Sequence, residues 1–484
     1  MESKVLQAAS QAGITLTGMT FRSQDVRPGY AFFALQGAHV DGNTFIPQAV
    51  SNGAALIISA QEKPAGLTVP FVKSTDIDRD MADAAYEFYG RPSDDLRMVG
   101  ITGTKGKTSI AYLLESILTE AGEKVGALGT VSYRINGRKI CDAPNTTPAA
   151  LSLFNLLAQM KDQHAQTVVM EVSSHALELQ RVRHIWYDTA VFTNLQRDHL
   201  DFHQTFENYF QAKCKLFENL ADPHNPKPVR TAVINIDDPY GQRLAAALQG
   251  RVQVVTFGQE NPAQWRAEKI QESLTQTTFE VNGVKASIRL LGRHNVYNAL
   301  AAWAAAAAQG ISVETIVKGL AALPGVPGRM ERIDAGQDFF TFVDFAYTDE
   351  SLQRAFQTVA PFKKGKVFVV FGCGGQRDRT KRPLMGRTAC TQADHVFLTN
   401  DNPRCEDPQQ IFTDILAGME GFSNYEIIPD RAQAIRCALA AAHKEDIVIV
   451  AGKGHENYQI VGATKRHFSD QETILSFLRE KAHV

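Results

Sequence analysis

Between residues 96 and 118 the chain passes from an apolar strand, through a glycine-rich turn, into an amphipathic helix. That order restricts the fold more than any other stretch. Leu96-Arg97-Met98-Val99-Gly100-Ile101 reads as a short buried strand. Ile110, Leu113, Leu114, Ile117 and Leu118 recur at helical spacing, which predicts a helix starting near Lys107. Between them lies Gly103-Thr104-Lys105-Gly106-Lys107-Thr108-Ser109. Glycines let backbone N–H groups converge on an anion, and the helix N-terminus adds a favourable dipole. Lys107 is placed to reach the outer phosphates of a nucleoside triphosphate, and Thr108 to offer a hydroxyl to Mg²⁺. The common spacing G-x-x-x-x-G-K-[ST] would put glycine at position 101, where this chain has Ile101, with extra glycines at 100 and 103. A subclass is indicated rather than a generic ATPase.

A chain of 484 residues exceeds one hydrophobic core, so about three domains are expected. Breaker-rich clusters at Gly90-Arg91-Pro92-Ser93-Asp94-Asp95 and Leu323-Pro324-Gly325-Val326-Pro327-Gly328 supply boundaries, giving segments 1–92, 93–327 and 328–484. Strands at 167–172, 189–193 and 231–234 alternate with helices in the middle segment, which predicts a mostly parallel sheet. Strands at 366–371, 395–399 and 446–450 predict a second, Rossmann-like α/β unit. The formal net charge of −2 gives no support for nucleic-acid or membrane partners recruited by bulk charge. No stretch is long and apolar enough to span a bilayer. The six cysteines, at 141, 214, 373, 390, 405 and 437, show no C-x-x-C spacing. Reduced thiols in a cytoplasmic enzyme are therefore expected, rather than a zinc or redox site.

Chemistry-bearing residues follow the loop. Val168-Val169-Met170-Glu171 ends a buried strand in an acid, as a loop NTPase needs for Mg²⁺, and Ser173, Ser174 and His175 follow at once. Thr193 to His203 contains Asp198, His199, Asp201 and His203. By itself this segment suits a Mg²⁺ site, a catalytic dyad or a hydrogen-bonded loop. On the helix predicted over 209–217, Lys213 and Lys215 cannot both face the core.

In order, these motifs resemble the Mur ligases of peptidoglycan synthesis. The resemblance rests on the 103–108 loop, Asn145-Thr146-Thr147-Pro148, Glu171-Val172-Ser173-Ser174-His175-Ala176-Leu177, and Asp198-His199-Leu200-Asp201 through Ala212-Lys213. It continues through Gly292-Arg293-His294-Asn295, Gly328-Arg329-Met330-Glu331, Gly374-Gly375-Gln376-Arg377-Asp378 and Lys381-Arg382-Pro383-Leu384-Met385. Asp401-Asn402-Pro403-Arg404 and Gly452-Lys453-Gly454-His455-Glu456 complete it. Within the family it points to members that add the third amino acid to UDP-N-acetylmuramoyl-L-alanyl-D-glutamate. The resemblance implies a three-domain α/β ligase: a small α/β N-terminal domain for the UDP-sugar, a central P-loop ATPase-like parallel sheet, and a C-terminal Rossmann-like domain for the incoming amino acid. It implies ATP and Mg²⁺, an acyl-phosphate intermediate, and no nucleic-acid or membrane partner; a monomer is expected.

Carried over residue by residue, the resemblance implies that Lys107, Glu171, His199 and Lys213 are catalytic. Lys213 would be carbamylated to N6-carboxylysine and bind Mg²⁺ with Thr108, Glu171 and His199, while Lys215 keeps a surface role. ATP would meet Gly103, Thr104, Lys105, Gly106, Lys107, Thr108 and Ser109, with Asn295 and Arg329. The UDP-sugar peptide would meet Phe21, Ser23, Ala38, His39, Val40, Asn145, Thr146, Thr147, Ser173 and Arg181. The amino acid would meet Arg377, Asp401, Asn402, Pro403, Arg404, Gly452 and Glu456. Arg404 can fork onto the far carboxylate of meso-diaminopimelate, which L-lysine lacks. Diaminopimelate is the expected substrate, and L-lysine is the alternative. A solvent-facing arginine at a helix entry is the plain reading of Arg404.

This chain departs from the family pattern at Arg22-Ser23-Gln24, where the family has Asp-Ser-Arg, at Tyr347 for a histidine, at Gln376 for an aspartate and at Leu179. Folylpolyglutamate synthase shares the loop and lysine logic, but should lack the Asp401–Arg404 and Gly452–Glu456 pair. A non-catalytic binding protein on the same fold draws its support only from Tyr347 and the altered 22–24 segment.

Overall fold

The computed structural model describes residues 3–37 and 40–482; Ala38 and His39, expected to touch the UDP-sugar, lie outside them. The chain forms two compact units, Met1–Arg266 with Tyr297–Gly319, and Ala267–Val296 with Leu320–Val484.

The first unit begins with a four-stranded parallel sheet, Gly18–Thr20, Tyr30–Ala34, Ala54–Ser59 and Phe71–Lys73, in sequential order. Helix Ile77–Phe88 covers it and packs against helix Ala150–Asp162. Asp83 on that helix accepts from Arg183 Nε and meets His184 Nε2, each at 2.6 Å.

The phosphate-loop strand, Arg97–Thr102, lies between Thr189–Phe192 and Thr167–Glu171, all parallel. Thr231–Asn235 and Gln253–Gly258 extend the parallel sheet on one side, and Val125–Leu128 on the other. Helices cover both faces, so these strands read as near-continuous apolar runs; every residue of Thr167–Glu171 is buried. Gly100 is needed there, because a Cβ would lie 2.7 Å from the Tyr187 ring. The helix predicted near Lys107 runs from Lys107 to Glu120 and buries Ile110, Leu113, Leu114, Ile117 and Leu118. Antiparallel strands Ser132–Ile135 and Arg138–Asp142 finish the edge; their short, mixed sequences gave no strand signal.

The stretch at 90–95, where the breakers suggest a boundary, has ordered structure of its own. Arg91 adopts a left-handed φ of 52°, and Pro92 starts a single helical turn in which Ser93 is buried. The buried ammonium of Lys227 donates to the carbonyls of Ser93, Asp94 and Leu96 at 3.0, 3.2 and 2.7 Å. A distant lysine therefore satisfies backbone that the local sequence leaves open.

The second unit contains a six-stranded sheet ordered Glu331–Arg332, Phe340–Asp344, Ile447–Ala451, Val367–Phe371, His395–Leu398, Tyr425–Ile427. Only the first pair is antiparallel. Side chains alternate between two cores: Phe342, Val369, Phe371 and Ile449 on one face, and Val343, Phe368, Val370 and Val450 on the other. The carboxyl ends of the parallel strands, where open α/β sheets take their ligands, lead into the 345–347, 372–377, 399–404 and 452–456 loops.

Candidate active site

The phosphate loop is held by contacts that only glycine permits. Gly103 has φ of 142°, and a Cβ there would fall 1.8 Å from Thr193 Oγ1. Gly106, at the N-cap, has φ of 94°, and its Cβ would fall 2.4 Å from Asn298 Oδ1. The loop is laced to the Asp/His segment. Lys105 N donates to Asn194 Oδ1 at 3.0 Å, Gln196 N to Thr104 Oγ1 at 2.9 Å, and Thr193 Oγ1 to Lys105 O at 2.7 Å. Lys105 Nζ pairs with Asp198 at 3.2 Å. Lys107 Nζ folds back onto the carbonyls of Gly103 and Thr104 at 2.8 and 3.0 Å, over the cradle it would share with phosphate oxygens. Ser109 is buried in the first helical turn.

Glu171 is the centre of the polar network. Its buried carboxylate accepts from Thr108 Oγ1 at 3.0 Å, Thr130 N at 2.8 Å and Thr130 Oγ1 at 3.0 Å. Thr146 Oγ1 lies 3.1 Å from Thr130 Oγ1. Thr147 Oγ1 donates to Glu171 O at 2.8 Å and accepts from Ser173 N at 3.0 Å. Arg181 Nη1 reaches Thr147 O at 3.3 Å, and Asn145 O accepts from Tyr133 OH at 2.7 Å. Residues 145–147, Ser173 and Arg181 are thus brought to the same strand end as Glu171 and Thr108. Thr130 and Tyr133 are not marked by the sequence, because lone hydroxyl residues carry no spacing signal.

Lys213 is buried on helix Phe206–Ala221, whereas Lys215 is half-exposed and pairs with Glu178 at 2.7 Å. No hydrogen bond or ion pair to Lys213 is found among the described residues; its ammonium faces the Tyr209 ring, 4.2 Å from the centroid. Burial, reinforced by the positive charge of Lys107, holds Lys213 well below the ordinary lysine value, and Asp198 offsets this only partly. That shift favours loss of the ammonium proton relative to an exposed lysine. His199 sits at the N-cap of the Leu200–His203 turn with a left-handed φ of 52°, its ring 4.9 Å from His175. Burial keeps His199 and His175 below the usual histidine value. His203, packed on Tyr209, bonds Ser174 Oγ at 2.9 Å.

In the amino-terminal sheet, Ser23 Oγ donates to Gln48 Oε1 at 2.7 Å, and Ser23 O accepts from Asn52 Nδ2 at 2.9 Å. Phe21 is partly buried and Val40 exposed. No described contact joins these three to residues 145–147.

The remaining candidates lie in the second unit. Asn295 is buried, with Nδ2 donating to Leu291 O at 2.7 Å, and the Arg329 guanidinium lies 5.7 Å from the Phe345 ring centroid. Exposed Tyr347, beside Phe345, lies under the Lys381 ammonium. Asn402 Nδ2 donates to Glu456 at 2.8 Å, and Asn402 Oδ1 accepts from Lys453 Nζ at 3.2 Å. Tyr458 OH donates to the other Glu456 oxygen at 3.1 Å. Asp401 is buried beside Gly452, whose Cβ would fall 2.8 Å from its carboxylate; burial raises the Asp401 pKa against the pull of Lys453. Pro403 is buried. Arg404 is not the solvent-facing, helix-entry residue of the plain reading. It has φ of 55°, bridges to Val461, and donates from Nη1 to Gly375 O at 2.9 Å. Arg377 is exposed at the rim. Lys453, fully buried inside the 452–456 glycine motif, joins this cluster through Asn402, a contact that no local pattern in the sequence signals.

Three sequence profiles match the chain: the Mur ligase family catalytic domain over residues 15–88, the Mur ligase middle domain over 101–306, and the Mur ligase glutamate ligase domain over 328–454. A UDP-N-acetylmuramoyl-L-alanyl-D-glutamate--2,6-diaminopimelate ligase of Geobacillus thermodenitrificans is 43% identical over 96% of this chain and 95% of its own length. One of the same name from Bacillus cereus is 42% identical over 94% and 93%. A solved structure of a ligase with that name superposes with a TM-score of 0.68 at 33% identity, covering 97% of this chain and 96% of the other.

Proposed function

This chain belongs to the Mur ligase family, and we propose that it is the ATP-dependent ligase that joins meso-diaminopimelate to UDP-N-acetylmuramoyl-L-alanyl-D-glutamate. One arrangement supports the chemistry above all: a glycine phosphate loop whose Thr108 hydroxyl bonds Glu171, in the unit that also buries Lys213 with no hydrogen bond or ion pair among the described residues. A generic NTPase has no use for that lysine. A neutral buried amine can add CO₂: its lone pair forms the N–C bond, a C=O electron pair moves to oxygen, and one N–H proton leaves. The resulting carbamate is an anion, whose burial a bound cation such as Mg²⁺ would offset.

The reaction has two chemical steps. The D-glutamate side-chain carboxylate attacks the γ-phosphorus of ATP, forming an acyl phosphate and releasing ADP. The amine of the incoming amino acid then attacks the acyl carbon, phosphate leaves with its bonding pair, and the nitrogen loses a proton. The loop N–H groups and Lys107 hold the phosphates in line; Lys107 exchanges the Gly103 and Thr104 carbonyls for phosphate oxygens. Thr108, Glu171, His199 and carbamylated Lys213 supply oxygen and imidazole donors suited to Mg²⁺, whose charge would offset that of the transferring phosphoryl group. Burial holds His199 below the usual histidine value, which favours the neutral imidazole that a ligand must be.

Residues 145–147, Ser173 and Arg181 are assigned to the sugar peptide, with Phe21, Ser23 and Val40 toward its UDP end, and Asn295 and Arg329 to ATP. Segments 1–92, 93–327 and 328–484 are assigned to UDP-sugar, ATP and amino acid. For the amino acid, Arg404 offers Nε and Nη2 to the far carboxylate, and Glu456 meets the far ammonium. L-Lysine would leave that guanidinium uncompensated. The protein is proposed to act in the cytoplasm as a monomer; among the described residues no helix is long and apolar enough to cross a membrane. The test is to incubate the protein with ATP, Mg²⁺ and the UDP-dipeptide, offering diaminopimelate and lysine separately. Tripeptide should form with diaminopimelate; no product with either amine would defeat the assignment.

A further inference from the structure

The Lys381–Met385 stretch matches the family with no role attached to it, yet it contains one of the most buried charges in the protein. Arg382 is fully buried. Its Nη1 donates to Glu406 Oε1 at 2.6 Å and to Asp414 Oδ2 at 2.8 Å, and its Nη2 to Glu406 Oε2 at 2.8 Å and Gly374 O at 3.2 Å. Arg379 completes the pairing of Asp414 from the solvent side, at 2.9 Å. Glu406 does a second job: its Oε2 accepts the N–H of Gln376 at 2.8 Å.

These contacts join two loops at the carboxyl ends of neighbouring parallel strands, 374–377 and 401–406. Two further bonds run directly between them, Gly375 N to Asn402 O at 2.9 Å and Arg404 Nη1 to Gly375 O at 2.9 Å. The loops touch so closely that a Cβ on Gly375 would lie 1.9 Å from Pro403 O, and one on Gly374 2.9 Å from Arg404 Nη1. Gln376 is held at φ of 53°, a strained value for a side-chain-bearing residue, immediately before Arg377. Arg377 and Arg404 are therefore presented by two loops that, beside the two direct bonds, share a side-chain fastening, Arg382 and Glu406.

We infer that Arg382, acting through Glu406, is a positioning residue for amino-acid selection: it locks the two loops so that Arg377 and Arg404 face the incoming amino acid in fixed register. The inference rests on the assignment of this site to an amino acid with a second carboxylate. A bidentate guanidinium fork cannot be replaced by an ammonium, which has no fixed fork geometry. Glu406 is only partly buried, with 18% of its side chain exposed, so its neutral variant is the safer probe.

The experiment measures kcat and KM for diaminopimelate, L-lysine, ATP and the UDP-dipeptide in the wild type, Arg382→Lys and Glu406→Gln. The wild type's use of diaminopimelate tests the functional assignment first. Given that, both variants should raise KM for diaminopimelate about tenfold, with KM for ATP changed less than about twofold, because a misplaced clamp loses binding to one substrate only. The preference for diaminopimelate over lysine should fall by about the same factor. In an Arg404→Ala background, Glu406→Gln should lower that preference no further. A preference unchanged in both variants, with only the melting temperature lowered, would overturn the inference. So would a full additional loss in the Arg404→Ala background.

Discussion

At Lys213 the cost of function is visible in one side chain. Before any carbamylation, an amine is buried with no carboxylate partner among the described residues, and its pKa lies well below the ordinary value near 10.5. The unfolded chain then binds more protons than the folded one wherever the pH lies between the two values. The sign follows: unfolding free energy rises with pH through that window and levels off above 10.5. Lys213→Met should remove that slope, raise the melting temperature at neutral pH, and cut ligase activity about a hundredfold or more. Denaturant melts at several pH values, alongside activity assays with and without added bicarbonate, check this; activity that survives would dismiss the carbamate role. The neighbouring Lys215 shows what residue type alone leaves undecided. Two lysines two positions apart on a helix face different ways, and the sequence says that both cannot be buried without saying which is. At Arg404, removal of the guanidinium by Arg404→Ala should lower diaminopimelate-over-lysine preference about ten- to a hundredfold, since a charge-assisted bond is worth roughly 1.5–3 kcal/mol. Competition between the two amines reads this directly.

Among the elements, the phosphate loop and its helix are the most legible part of the chain. Strand, glycines and helix each announce themselves locally, and the contacts explain why glycine is required. Gly103→Ala would drive a methyl into Thr193 Oγ1 from a backbone conformation that alanine resists. The expected result is a KM for ATP raised at least about tenfold, with the fold retained by circular dichroism. The 90–95 segment was less legible. Its proline, glycine and acids mark a boundary, but the side chain that fixes it, Lys227, lies more than a hundred residues away in sequence. Lys227→Met should strand three carbonyls and destabilise the protein by about 3–5 kcal/mol, measured by urea unfolding. Unchanged stability would mean that water replaces the ammonium at no cost. The edge strands were likewise silent: 138–142 is exposed throughout and carries no burial pattern, and 132–135 is only four residues long and mixes a serine and an arginine with its apolar positions.

Across the whole molecule, the parallel sheets, the Rossmann-like second unit and the strand-end position of Glu171 follow from apolar runs and their spacing. What did not follow is the wiring between loops. Thr130 under Glu171, Lys453 behind Asn402, and Arg382 fastening 374–377 to 401–406 depend on side chains that meet only after folding, and no local pattern encodes them. The central claim is that this wiring serves an acyl-phosphate ligase. It is tested by supplying UDP-N-acetylmuramoyl-L-alanyl-D-glutamate labelled with ¹⁸O in the D-glutamate side-chain carboxylate, together with ATP, Mg²⁺ and diaminopimelate. The account predicts that one ¹⁸O per turnover appears in the released phosphate as tripeptide forms. Tripeptide formed with unlabelled phosphate, or phosphate released without tripeptide, would contradict it.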